Sequence, residues 1–389
     1  MDVLKEDSKW TLPVTSTITF LGFLDTHLLI PVIALYAAGL GASMGMVGLI
    51  VGLYSIVNTP ANIVFGRLVD RAGYKALLVG GLGGDVLSMM LYAFTRSPLH
   101  LALVRALHGL SGALVAPATM SIIADYSVSE RRGRSMSFYG MALASASLIG
   151  YPLSGLIASR LGLSALFFLG ALAVGVGMLL SLILPGGGSA NQSSPARGES
   201  LQRIKFLLTS KGLIPAYAAI FAQYFTFGGV VTLLPIHMER LGMGAFEVGM
   251  LLVTFSAAFV LTQLPGGSIS DKVGRRPPIL AGLLCIVVSL FVLPSLSGFA
   301  ALAVAMALYG VGYGLLFPSI SALVADRTGV GERGLAMGLF HALLTAGVAI
   351  GAPLMGWVAG LLGIETGLMI TPVPVLLAFV LALMFLGRP

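Results

Sequence analysis

The segment from Leu101 to Arg134 occurs twice in this chain. Adding 201 to each residue number carries Gly109 onto Gly310, Pro117 onto Pro318, Asp125 onto Asp326, Arg132 onto Arg333 and Gly133 onto Gly334. The same offset of 201 carries Asp70 onto Asp271, Gly73 onto Gly274, Gly150 onto Gly351, Pro152 onto Pro353 and Gly155 onto Gly356. The register therefore holds without a gap from about residue 70 to 155, and a repeat of that length requires two halves of one architecture.

The halves are written for a bilayer. Of 389 residues, 57% are hydrophobic and only 10% charged, too few polar groups to coat a soluble domain. Runs of about 20 apolar residues recur, each long enough to cross a hydrocarbon core of about 30 Å. They read as helices. A barrel strand alternates polar and apolar residues, whereas Leu166 to Leu184 is apolar on every side, with Ser181 its only hydroxyl. The 51 glycines and 19 prolines suit close helix packing and kinks in lipid. Spans are expected to begin near residues 11, 46, 76, 99, 135 and 164, then 212, 246, 277, 299, 335 and 364. The expected fold is an all-α membrane protein with twelve transmembrane helices in two six-helix halves, residues 1–184 and 212–389. A Gly/Ser-rich stretch opens the polar cytoplasmic linker, residues 185–211, which carries no site chemistry. Parallel repeats of this kind characterise secondary transporters, with a pseudo-two-fold axis along the membrane normal and a binding site between the halves.

The formal charge of +7 raises nucleic acid as a partner, but the basic residues gather in short loops on one side. With both termini cytoplasmic, the inside segments hold 18 of the 22 lysines and arginines, while Arg96, Arg160 and Arg240 fall outside and Arg105 lies within a span. The positive-inside rule accounts for this pattern and sets the orientation. The N-terminal apolar run is too long for a signal-peptide core and reads as an uncleaved first helix. Cys285 is the only cysteine, which excludes an intramolecular disulfide.

The loop sequences narrow the class. Gly66-Arg67-Leu68-Val69-Asp70-Arg71-Ala72-Gly73-Tyr74-Lys75 resembles the loop signature of the major facilitator superfamily, and Gly267-Ser268-Ile269-Ser270-Asp271-Lys272-Val273-Gly274-Arg275-Arg276 repeats it. The resemblance covers essentially the whole chain and implies the major facilitator fold, alternating access and a gating role for Gly66, Asp70, Arg71, Gly73 and Lys75 with Asp271, Lys272, Gly274 and Arg275. Physically, the glycines permit tight turns, and an aspartate there can accept from a helix N-terminus or pair with a loop arginine. The alternative is that these charges only fix topology.

Ionisable groups inside the membrane are the candidates for function. Asp25 lies midway along the first helix in Phe23-Leu24-Asp25-Thr26-His27. A carboxylate at that depth costs about 2.5–3.5 kcal/mol, so it faces the protein interior, and burial disfavours its charged form enough for it to gain and lose a proton. The stretch also resembles the first helix of drug:proton antiporters and vesicular monoamine transporters, which implies a role in substrate or proton binding. Arg105-Ala106-Leu107-His108-Gly109 resembles the superfamily's fourth-helix signature, implicated in proton transfer, with His108 where glutamine is common. Two readings stand for Arg105: direct participation, or neutralisation of Asp25 or Asp85. His108 is either a participant or a hydrogen-bonded interior residue. Asp85, on the third helix, reads as a structural ion pair or hydrogen bond. On the fifth helix Gly140, Tyr151, Pro152 and Gly155 resemble the antiporter motif, although Tyr151 and Ser147 replace two of its glycines. Close packing of small residues is the alternative there.

Position 306, the repeat partner of Arg105, is Met306, so proton handling is expected in the first half. The second half offers Gln223 and Tyr224, Gln263, Tyr309, Tyr313, Phe317 and His341 as cavity-lining residues. Tyr309, Tyr313 and Phe317 recur every four residues and share a helix face, either as packing or as an aromatic wall for an apolar or cationic solute. The expected function is a proton-coupled exporter, an antiporter of lipophilic neutral or cationic small molecules of the multidrug-efflux kind, monomeric in the cytoplasmic (inner) membrane. Its partners are a small-molecule substrate, protons and the lipid bilayer, with no nucleic acid. A proton symporter for an organic anion or sugar, with Arg105 as carboxylate clamp, is the second reading. A membrane enzyme is disfavoured: the five histidines are scattered, there is no His-x-x-x-His, no paired cysteine and no P-loop, so neither cofactor nor metal is expected.

Overall fold

A backbone in lipid must satisfy its own hydrogen bonds, and apolar runs do so as helices. The structure, a computed structural model, describes residues 3–126, 132–185, 197–329 and 332–386. Among the described residues it contains helices and no strand. The first seven helices are α1 (Val3–Leu29), α2 (Ile33–Gly39), α3 (Met44–Ala72), α4 (Tyr74–Tyr92), α5 (Pro98–Tyr126), α6 (Arg132–Leu161) and α7 (Leu163–Ile183). After α8 (Arg197–Thr209) come α9 (Ile214–Arg240), α10 (Ala245–Val273), α11 (Arg276–Val292), α12 (Phe299–Asp326), α13 (Arg333–Leu362), α14 (Ile364–Ile370) and α15 (Val373–Phe385).

Eleven described helical segments are long and apolar enough to cross a membrane, with α14 and α15 forming one of them, and α1 with α2 makes a twelfth. That pair is bent by 42° at a break that contains Pro31, which cannot donate to the helical ladder. The membrane-crossing segments begin within a few residues of the positions expected from the apolar runs, although α1 itself starts earlier, at Val3.

Two compact units result: Met1–Gly41 with Leu53–Ser193, and Ala42–Gly52 with Ser194–Pro389. The start of α3 thus belongs with the second unit. There a Cβ placed on Gly48 would stand 2.9 Å from the Gly356 Cα, a backbone approach that only small residues allow.

The repeat is visible in the turns. Glycines with positive φ occur as three pairs at the 201 offset: Gly41 and Gly242 (φ 84° and 77°), Gly73 and Gly274 (83° and 85°), Gly162 and Gly363 (86° and 91°). Gly73 is the single residue between α3 and α4, and at its φ any side chain would be strained. The repeated register therefore runs from residue 41 to 162, beyond the stretch evident in the sequence.

In the first unit α1, α4, α5 and α7 share a core of Ile18, Leu78, Leu82, Val115, Ile122 and Val174. The Lys75 amino group donates to the Leu184 carbonyl at 2.6 Å, closing the end of α7. This core fixes the rotation of α1, α4 and α5, and with it the faces that carry the buried polar groups.

Candidate functional site

Asp25 on α1, Asp85 on α4, and Arg105 and His108 on α5 are all buried, each at most 3% exposed. Three of them meet. His108 Nε2 donates to Asp25 Oδ2 at 3.0 Å and stands 3.9 Å from Asp85 Oδ1. The Ser111 hydroxyl, one turn after His108, is hydrogen-bonded to Asp85 Oδ1. The Tyr92 hydroxyl is 3.2 Å from His108 Nδ1. A neutral ring carrying its proton on Nε2 satisfies both contacts, with Tyr92 donating to Nδ1. Asp25 Oδ1 accepts from the Thr26 backbone N–H, so both of its oxygens have a donor. Asp85 Oδ2 has none.

The partner of Asp25 is therefore His108 and not Arg105. The guanidinium carbon of Arg105 lies 5.0 Å from the centre of the Tyr54 ring, a cation–π contact, and Tyr54 in turn meets His108 edge-on with centroids 5.2 Å apart. Arg105 Nε and Nη1 are buried without a hydrogen-bond partner. The donor atoms of Asp25, Asp85 and His108 lie within 4.8 Å of one another, a spread that a metal could use. However, Nε2 is occupied by its hydrogen bond to Asp25, and the Arg105 cation stacks on the ring that borders the cluster. The geometry is that of a hydrogen-bonded acid–imidazole group.

The residues expected in the second half also converge, without charge. The Tyr309 hydroxyl bonds Thr226 Oγ1 on α9 at 2.8 Å and the Tyr313 hydroxyl at 3.0 Å, and Tyr313 donates to the Gln223 carbonyl. Phe255 on α10 lies 5.0 Å from both tyrosine rings, and Tyr224 5.8 Å from Tyr313. Gln223 is fully buried, and neither atom of its side-chain amide has a partner. Phe317 stands beside Phe259 and Phe340, and the Phe340 ring meets His341, which is itself exposed. Gln263 is half-buried on α10.

On α6, Gly140 is exposed, Gly155 buried and Pro152 half-buried. Tyr151 packs its ring 5.3 Å from that of His27, and a Cβ on Gly150 would reach His27 Cβ at 2.7 Å. This side of α6 is fitted to α1 next to Asp25. In the loop repeats, Gly66 is half-buried and the side chains of Arg67, Asp70 and Arg71 lie outside those described, as do residues 127–131. In the second-half loop the contacts are clear, and they are made by Arg275, which stands at the position of Tyr74. Arg275 bonds Asp326 through Nε at 2.9 Å and Asp271 through Nη1 at 2.5 Å, while Lys272 is exposed. The hydrogen bond to Asp326 holds the Arg275 guanidinium above its ordinary pKa, with Asp271 adding to it.

Four cluster members were not site candidates from sequence: Asp85, Tyr54, Tyr92 and Ser111. Asp85 carried a signal, since it is an acid in the middle of an apolar run. Ser111 lies three residues after His108, a spacing that puts both on one face of α5. Nothing in the sequence marks Tyr54 or Tyr92 as neighbours of His108.

A chain of membrane-crossing helices is a multi-pass membrane protein by class. The family profile described as Major Facilitator Superfamily matches residues 15–249 and 216–389, and the chain belongs to that superfamily. It is 27% identical over 351 residues to the inner membrane transport protein YajR of Escherichia coli K12, covering 89% of this chain and 76% of that protein. To multidrug resistance protein 1 of Bacillus subtilis it is 25% identical over 370 residues, covering 90% of each. The structure of a bacterial homolog of the human lysosomal transporter Spinster shares the fold, with a TM-score of 0.82 at 15% identity over 99% of both chains. The protein is a multi-pass integral membrane transporter of small molecules.

Proposed function

We propose that the protein is a proton-coupled exporter of lipophilic neutral or cationic small molecules, working by alternating access as an antiporter. The observation that carries this reading is the buried group of Asp25, His108, Asp85 and Arg105. With His108 neutral, two carboxylates and one permanent cation leave a deficit of one positive charge, and an uncompensated charge in a low-dielectric interior is costly. One proton removes the deficit, and so does one organic cation. Proton and substrate then compete for the negative charge of this group, and exchange follows provided that the empty, ionised carrier crosses slowly. The likeness to multidrug resistance protein 1 supports the substrate class. The chain acts as a monomer in the cytoplasmic membrane, and the distribution of lysine and arginine favours an orientation with both termini inside.

One observation favours the second reading, a proton symporter for an organic anion. Arg105 keeps two buried guanidinium nitrogens without partners, which could clamp a carboxylate. Transport into inverted vesicles under an imposed pH gradient, across a panel of cationic dyes, sugars and organic acids, separates the two. Cation accumulation driven by the gradient, lost in Asp25→Asn, is the expected result. Gradient-driven accumulation that survives in Asp25→Asn places coupling elsewhere, and accumulation of acids alone selects the symporter.

A further inference from the structure

We propose that Asp85 is the seat of the exchangeable proton, while Asp25 keeps its negative charge as the anchor for a cationic substrate. This deepens the proton-coupled reading and rests on it.

The two carboxylates are equally buried but differently served. Asp25 receives a donor on each oxygen, from the Thr26 N–H and from His108 Nε2, the arrangement that supports an ionised carboxylate. Asp85 receives support at one oxygen only. Its Oδ2 is buried with no partner, and an ionised oxygen left without a donor is penalised more heavily than a neutral carbonyl oxygen.

The surroundings of Ser111 point the same way. Its Oγ lies within hydrogen-bond distance of Asp85 Oδ1, of the Leu107 carbonyl at 3.1 Å and of the His108 carbonyl at 3.2 Å. One hydroxyl proton cannot serve three acceptors. A proton on Asp85 Oδ1 lets the carboxyl donate to Ser111 Oγ while Ser111 donates to the Leu107 carbonyl, so two of the three contacts are used at once.

His108 is already partnered on both ring nitrogens, by Asp25 and Tyr92. The elements packed on α4 are α1, α5 and α7. They bring Asp25 from α1 and His108 from α5 toward Asp85, Arg105 of α5 lies on the Tyr54 ring, and α7 brings no titratable group. Tyr54 of α3 and Tyr92 of α4 itself are the neighbouring phenols.

The resting charge is then zero: Asp25 at −1, Arg105 at +1, Asp85 and His108 neutral. When a cation seats on Asp25 the sum becomes +1, and the O–H bond of Asp85 breaks to release H⁺ to water and leave a carboxylate, returning the sum to zero. Proton return to Asp85 expels the cation by the same balance. One proton is exchanged per cation.

Infrared spectroscopy of the purified protein in light and heavy water tests this without any substrate. At pH 7 the wild type is expected to show the C=O stretch of a buried protonated carboxyl, shifted in heavy water. That band is expected to vanish in Asp85→Asn. In Ser111→Ala it persists at higher frequency, since the carboxyl loses its hydrogen-bond partner; this variant keeps the test open if Asp85→Asn folds poorly. A wild type without the band, a band that survives in Asp85→Asn, or one indifferent to Ser111→Ala overturns the assignment. The spectrum reports protonation and not transport. A failed assignment thus leaves the Asp25→Asn transport result standing, and a failed transport result leaves the spectrum standing.

Discussion

The first unit buries an acid–imidazole group where the second buries hydroxyls and rings, on a matching scaffold. At the 201 offset Asp25 becomes Thr226, Tyr54 becomes Phe255, Asp85 becomes Ile286, Arg105 becomes Met306 and His108 becomes Tyr309. The contacts correspond. The 3.0 Å bond from His108 to Asp25 has its counterpart in the 2.8 Å bond between Tyr309 and Thr226, and the Tyr54–His108 ring contact at 5.2 Å in Phe255–Tyr309 at 5.0 Å. Ser111 corresponds to Gly312, where a Cβ would stand 2.7 Å from Ile286 Cγ1, so the larger aliphatic residue and the glycine go together. The helix packing that brings these positions into contact is thus attained without any charge. Charged side chains in the first unit are not required by the fold, and their burial opposes it. The proposed proton coupling gives these charges work that the second unit does not share.

The comparison breaks most decisively if the second unit's chemistry cannot be carried into the first. Replacing Asp25→Thr, Asp85→Ile, Arg105→Met, His108→Tyr and Ser111→Gly together is expected to yield a folded protein that has lost all pH-driven transport. Exchange of buried charges for neutral residues is expected to leave it equally stable or more stable by about 1–4 kcal/mol, read from denaturation of the purified protein. A variant that fails to fold would show that the charged group is structural.

A smaller, symmetric effect sharpens the shared scaffold. Gly109 and Gly310 are repeat partners, and a Cβ on Gly109 would stand 2.5 Å from the Tyr54 carbonyl while one on Gly310 would meet the Phe255 carbonyl. Gly109→Ala and Gly310→Ala are each expected to destabilise by about 1–3 kcal/mol through the backbone shift they force. Similar losses in thermal unfolding support one packing used twice, whereas a loss confined to one unit contradicts it.

The smallest effect isolates the neutral cluster. Tyr309→Phe removes the bonds to Thr226 and Tyr313 and is expected to cost about 0.5–1.5 kcal/mol. The pH profile of transport should not move, because the second unit holds no proton in this scheme. A shifted profile in Tyr309→Phe would assign proton handling to both units.

Much of this was legible in the chain itself. Apolar runs set the helix starts because a backbone in lipid has no alternative, and the recurrence of Asp70, Gly73, Pro152 and Gly155 at the 201 offset announced two copies of one unit. Asp25, Arg105 and His108 stood out because ionisable side chains in such runs are costly and rarely incidental. Which of them meet was decided by tertiary structure. Arg105 and His108 lie three residues apart on one face of α5, and the spacing alone cannot say which reaches Asp25. The choice fell to His108 because the rotation of α5 against α1 brings its ring within 3.0 Å, while Arg105 turns onto Tyr54. Asp85 entered the group for the same reason, since the packing of α4 on α5 points it at Ser111 and His108. Periodicity along one helix fixes which side chains share a face; the distance across to another helix exists only once the helices have packed.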